Sequence, residues 1–206
     1  MNYDPYLVLD LPLWKRDGSH FISDDQYGHL ITNSGSIWTP DGRWFDGVDD
    51  NISCGSSPAL NLHNDFTMEA WIKTNYTTTN QHVLWWGAEA NGQRRSMWIE
   101  LVSGYLLFSG YGVPANIESA FNVADGRWHY CVITLDSHDQ IVIYVDGEIV
   151  KTGSPTLNTF TYAGTYLGAE SAGALSELFK GTMKQVRITR RVFPPQEVSR
   201  NYLITR

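Results

Sequence analysis

The segment FDGVDDN, Phe45 to Asn51, places Asp46, Asp49 and Asp50 within five positions. Carboxylates this close repel one another, and three arrangements would relieve them. An Asp-Gly turn offers backbone N–H groups to the Asp46 side chain. A bound Ca²⁺ takes about six to eight oxygens, some from carboxylates and the rest from loop carbonyls. A neighbouring ammonium group could also sit against them. A second group combines aromatic and acidic residues: Glu69 and Trp71 in FTMEAWIKT, Trp98 and Glu100 in SMWIELV, with Trp86 next to Trp85, and Tyr111 after Tyr105. Sugar recognition uses such sets, because flat aromatic faces stack on pyranose rings while carboxylates and amides bond the hydroxyls. The competing reading is that Trp71 and Trp98 only cover a sheet. It takes precedence, because large aromatics are mostly buried.

The elements that position these residues follow from alternation. Phe66, Met68, Ala70 and Ile72 share one face of a strand, and Thr67, Glu69, Trp71 and Lys73 share the other. Met97, Ile99 and Leu101 stand against Trp98, Glu100 and Val102 in the same way. On this pattern Glu69, Trp71, Trp98 and Glu100 all point away from the core. HYCVITLD (129–136) and IVIYVDGEIV (141–150) are β-branched and aromatic, with the turn SHDQ between them. Asp146-Gly147 and Asn91-Gly92 signal hairpins. Strands recur at short intervals with turn residues between them, which predicts an all-β, antiparallel two-sheet β-sandwich of jelly-roll type. One helix is expected, in the tail PPQEVSRNYL (194–203). It should run one or two turns and pack Val198, Tyr202 and Leu203 on the sandwich. The alternating Tyr6, Val8 and Leu13 of the opening segment form either a first strand or an edge that adds to a neighbouring molecule's sheet.

With 206 residues, the chain is expected to form one domain, 1–206, complete and without linkers or repeats. A net charge of −7 and the lack of a basic stripe exclude nucleic acid as a partner. No apolar run reaches membrane-spanning length, so membrane insertion is not expected. The acidic, proline-interrupted start shows no signal peptide. Cys54 and Cys131 are expected to be buried thiols rather than a disulfide framework. The six histidines (20, 29, 63, 82, 129 and 138) show no metal-binding spacing, and no phosphate loop or nucleophile triad is present.

Four stretches together resemble the laminin-G-like jelly-roll family of the concanavalin A-like lectin/glucanase superfamily. They are DDQYGHLITNSGSIWTPDGRWFDG (24–47), FDGVDDNISCGSSPALNLHNDFTMEAWIKT (45–74), DGRWHYCVITLDSHDQIVIYVDGEIVKTG (125–153) and FKGTMKQVRITRRVFPPQEVSRNY (179–202). The resemblance implies the sandwich fold with a short C-terminal helix. It also implies a structural Ca²⁺ near Asp46, Asp49 and Asp50. Where similar proteins carry an acidic pair in the closing strand, this chain has Lys184-Gln185, so Lys184 is a candidate to replace the cation. The related glucanases carry a Glu-x-Asp-x-x-Glu strand that is absent here. Hydrolysis would therefore need Glu69 and Glu100 to share one cleft, about 5–9 Å apart.

The expected function is non-catalytic and lectin-like, with a glycan or cell surface as partner. Glu69, Trp71, Trp98, Glu100, Trp86 and Tyr111 are the candidate ligand residues. The alternative is a self-assembling structural protein, a virion decoration or filament subunit. Either favours an extracellular or particle-associated location.

Overall fold

The computed structural model describes residues 4–15, 18–63, 65–87, 94–110, 116–157, 159–170 and 177–206. Its strands, in chain order, begin with β1 (Leu7–Pro12), β2 (His20–Ile22), β3 (Leu30–Ser34), β4 (Ile37–Thr39), β5 (Gly42–Asp46) and β6 (Asn51–Ser53). The middle of the chain supplies β7 (Phe66–Lys73), β8 (Gln81–Gly87), β9 (Arg94–Ile99), β10 (Tyr105–Ser109) and β11 (Asn116–Asn122). Then come β12 (Trp128–Leu135), β13 (Ile141–Val145), β14 (Glu148–Gly153), β15 (Thr165–Leu167), β16 (Lys180–Thr189) and the helix α1 (Pro195–Thr205).

These strands form two antiparallel sheets. The first runs β14-β13-β12-β7-β16-β5-β4, and β1 pairs with the C-terminal half of β16. The second runs β11-β10-β9-β8-β15-β6-β3-β2. The opening segment is thus a first strand of its own sheet. Between the sheets lies one apolar core, including Phe45, Phe66, Met68, Ile72, Trp86, Met97, Phe108 and Ile133. Cys54 and Cys131 are free, buried thiols within it. The Asp146-Gly147 hairpin joins β13 to β14, both residues with positive φ (+53° and +87°), which matches the twist of the flanking strands. Asn91-Gly92 lies outside the described residues. Among the described residues, no helix is long and apolar enough to cross a membrane.

The helix is longer than expected and covers the outer face of the first sheet. Val198 is fully buried there beside Trp71, Tyr130, Val132, Tyr144 and Phe193, and Tyr202 packs against the group. Leu203, expected to pack, is instead exposed, because the helix turns that side to solvent. Arg191 clamps the first turn with a bidentate pair to Glu197 (2.6 and 2.7 Å).

Candidate functional site

The helix decides the fate of two predicted ligand residues. Trp71 stacks on Tyr130 (5.3 Å) and on Tyr202 (5.9 Å), and its Nε1 donates to Thr205 Oγ1 at 2.8 Å. Glu69 is buried beside it, paired with Arg187 at 2.8 Å and accepting the Tyr130 hydroxyl. Burial and the adjoining Glu69 carboxylate push the Tyr130 hydroxyl well above its usual range, so it stays a donor. Both residues point away from the core, as the alternation implies. That second face is covered all the same, and neither residue can meet a ligand.

Trp86 belongs to the core between the sheets. Its ring meets Phe66 and Phe160, and its Nε1 donates to the Leu60 carbonyl at 2.6 Å. β9 ends at Ile99, so Glu100 sits in the following turn and accepts Ser103 Oγ at 2.7 Å. Leu101, expected inside, is exposed for the same reason. Glu69 and Glu100 belong to different sheets, because β7 pairs with β12 and β16 rather than β9. The pairing that a shared hydrolytic cleft required is therefore absent. Tyr111 lies outside the described residues.

The aspartate cluster folds as a turn. Asp46 Oδ1 accepts the Val48 N–H at 2.7 Å, and Asp50 Oδ2 accepts the Asp46 N–H at 2.7 Å. Asp50 is buried against Gly35. Burial, and then its two acidic neighbours, raise its pKa despite that hydrogen bond. One oxygen from each of Asp46, Asp49 and Asp50 lies within 4.8 Å of the others, a set of hard donors that fits a cation such as Ca²⁺. Lys184 does not replace that cation. Its ammonium sits over the Trp71 ring and donates to the Thr205 carbonyl at 3.2 Å, at the C-terminal end of the helix.

The open site lies elsewhere on the first sheet, beyond the end of the helix. A single register row runs Ile37–Trp44–Thr182–Lys73–Trp128 across β4, β5, β16, β7 and β12. Around this row is a cavity of about 420 Å³ lined by Trp44, Trp128, Lys73, Lys180, Asp41 and Asn75, with the Thr39 and Thr182 side chains. Trp44 is 38% exposed, an unusual state for so large an aromatic. Lys180 holds its ammonium over the Tyr76 ring at 5.1 Å and pairs in register with Asp46, which places the aspartate turn beside the cavity. Two indoles, two ammonium groups, a carboxylate and an amide can together stack on a sugar ring and bond its substituents.

Sequence reasoning missed this site although a signal was present. The tetrapeptide Asp-Gly-Arg-Trp occurs twice, at 41–44 and 125–128. Each copy leads into a strand of the first sheet, and both tryptophans line the cavity.

The second sheet carries the remaining predicted aromatic. Trp98 stacks on His82 at 5.5 Å and 16° between planes. Trp85 and Trp98 both bury an indole N–H that has no hydrogen-bond partner among the described residues.

Residues 46–199 match the family model described as the concanavalin A-like lectin/glucanases superfamily. No curated protein matches the sequence. Among solved structures, the botulinum neurotoxin serotype D binding domain is similar at a TM-score of 0.76 and 11% identity, over 97% of this chain and 52% of that one. The Trypanosoma rangeli sialidase in complex with sialic acid gives 0.76 and 17%, over 97% of this chain and 33% of that one. Domain 4 of AbnA, a GH43 extracellular arabinanase from Geobacillus stearothermophilus, in complex with arabinotriose, gives 0.70 and 20%, over 94% and 97%. The chain thus spans about half of the toxin domain and a third of the sialidase. These likenesses show the fold.

Proposed function

The chain belongs to the concanavalin A-like lectin/glucanases superfamily, and from that premise we propose that it is a non-catalytic module that binds a glycan in the cavity between Trp44 and Trp128. The observation that carries this reading is the register row itself. It brings two accessible indoles and Lys73 together on one open face. A sugar ring stacks on an indole, and the Lys73 and Lys180 ammonium groups bond its hydroxyl or carboxylate oxygens. A further support is the likeness to an arabinanase domain of matching extent, seen with an oligosaccharide. The test is a glycan array probed with the wild-type chain and with Trp128→Ala. Wild-type spots that vanish in the variant support the reading. An array blank for the wild-type chain, or unchanged by the substitution, overturns it.

The same reading places a structural Ca²⁺ at Asp46, Asp49 and Asp50, steadying the turn next to Lys180. Calcium should raise the melting temperature, EDTA should reverse the rise, and Asp50→Asn should abolish it. A melting temperature indifferent to both reagents removes the ion.

Self-association is the second reading. The edge strand β4 exposes Ile37 and Trp38, and Trp38 Nε1 bonds the carbonyl of the exposed Trp14. An apolar edge of this kind invites a neighbouring sheet. Light scattering that gives a monomer at high concentration would refute it.

A further inference from the structure

On the second sheet, three donors converge that the glycan cavity does not use. His82 lies in β8, and Glu170 and Glu177 lie in the chain between β15 and β16. One ligand atom from each is within 4.8 Å of the other two. We propose that His82, Glu170 and Glu177 form a binding site for a divalent transition-metal ion, with Zn²⁺ as the best fit.

The donor set selects the ion. Calcium and magnesium favour oxygen alone, whereas an imidazole nitrogen with carboxylates suits zinc. Two carboxylates and a neutral imidazole carry a charge of −2, which a divalent ion neutralises. Three protein ligands would leave a fourth tetrahedral position for water.

The surroundings are built as zinc ligands require. His82 is fully buried in a strand, and the Trp98 ring lies flat against it. Its Nδ1 is held by Ser96 Oγ at 2.7 Å, and that oxygen lies 3.2 Å from the Leu84 carbonyl. With Nδ1 fixed by an outer partner, Nε2 is the atom presented to the carboxylates, an arrangement typical of metal-binding histidines. Nε2 lies 2.8 Å from Glu177 Oε2, while Glu177 Oε1 accepts Asn80 Nδ2 at 3.0 Å. The His82 N–H also donates to the Glu177 carbonyl at 2.8 Å, which ties the two segments together at the backbone. A metal ion would bridge Nε2 and Oε2.

The site does not depend on the glycan reading, and its test is separate. The untagged full chain is titrated with ZnCl₂ by calorimetry and in thermal melts, and Co²⁺ is used as a visible-absorbing probe. We expect one ion per chain and a melting temperature higher by about 5–10 °C at a hundredfold excess over Kd. Glu170→Gln should weaken zinc at least about 100-fold, and Ser96→Ala about 10- to 100-fold, while circular dichroism stays unchanged. Asp50→Asn should leave zinc affinity intact, which separates this site from the aspartate turn. Glu170 is only partly buried, so Glu170→Gln tests the site even where a His82 variant fails to fold. No zinc-dependent shift in the wild-type chain, or equal affinity in Glu170→Gln, overturns the proposal.

Discussion

Replacing Glu69 by Gln separates a structural role from a ligand role. In the native fold the Glu69 side chain is 3% exposed, the Arg187 side chain is 20% exposed, and their charged groups meet at 2.8 Å. Arg187 Nε has no hydrogen-bond partner among the described residues, and the Tyr130 hydroxyl donates to the same carboxylate. Burial works against the Arg187 charge, and Glu69 restores it so far that its pKa lies above the usual range. Glutamine keeps the shape but leaves a positive charge in a mostly dry site. Removing one partner of a buried pair costs about 3–5 kcal/mol. The residual exposure of Arg187 brings the expectation to about 2–4 kcal/mol. At a urea m-value of about 3 kcal/mol/M the midpoint should fall by about 1 M, with m unchanged. Pairing Glu69→Gln with Arg187→Met should recover part of that loss, because the uncompensated charge is gone. Glycan binding should persist in folded Glu69→Gln. A midpoint shift below about 0.2 M, together with lost glycan binding, would refute the reasoning and return Glu69 to the ligand site.

Other perturbations test the frame around the cavity. His129 hydrogen-bonds Asp146 through Nδ1 (2.8 Å) and Asp125 through Nε2 (3.0 Å), and these partners raise its pKa against its burial. Its contribution is therefore complete below the unfolded value of about 6.5 and is lost as pH rises through the higher folded value. Denaturation at pH 6 and 8.5 should show a stability gap between wild type and His129→Gln that narrows at the higher pH, and a constant gap would contradict this. Gly35→Ala should lower the melting temperature by about 5–15 °C. Gly35 has φ +85°, and a Cβ there would sit 1.9 Å from Asp50 Oδ1, displacing the carboxylate that accepts the Asp46 N–H. A shift under 2 °C would show that the turn tolerates the methyl group.

Much of the sandwich was legible because period-two alternation and turn residues are local signals. The β12–β13 turn, the Asp146-Gly147 hairpin and the C-terminal helix follow from short stretches, whereas the closing strand was implied by the family resemblance. The candidate site was far less legible. Alternation in FTMEAWIKT shows that Glu69 and Trp71 face away from Phe66 and Met68, but not that a helix from the far end of the chain covers that face. A central strand packed on both sides reads the same as a half-exposed one wherever its second cover is aromatic and charged. Glu100 was misplaced because its strand stops one residue earlier, where the chain turns. The cavity depends on register between β5, β16, β7 and β12, which local pattern does not reveal, although the repeated Asp-Gly-Arg-Trp marked both of its tryptophans. His82 shows no spacing to another ligand because its partners arrive from a distant connection.

The most direct test compares Trp128→Ala with Trp98→Ala by calorimetry against the strongest array glycan. Trp128 lines the cavity of the first sheet, whereas Trp98 stacks on His82 in the second. If the glycan seats between Trp44 and Trp128, Trp128→Ala should raise Kd about 10-fold or more, and Trp98→Ala should leave it within about twofold. The opposite pattern, affinity lost in Trp98→Ala and kept in Trp128→Ala, would move the binding site to the second sheet and contradict the account.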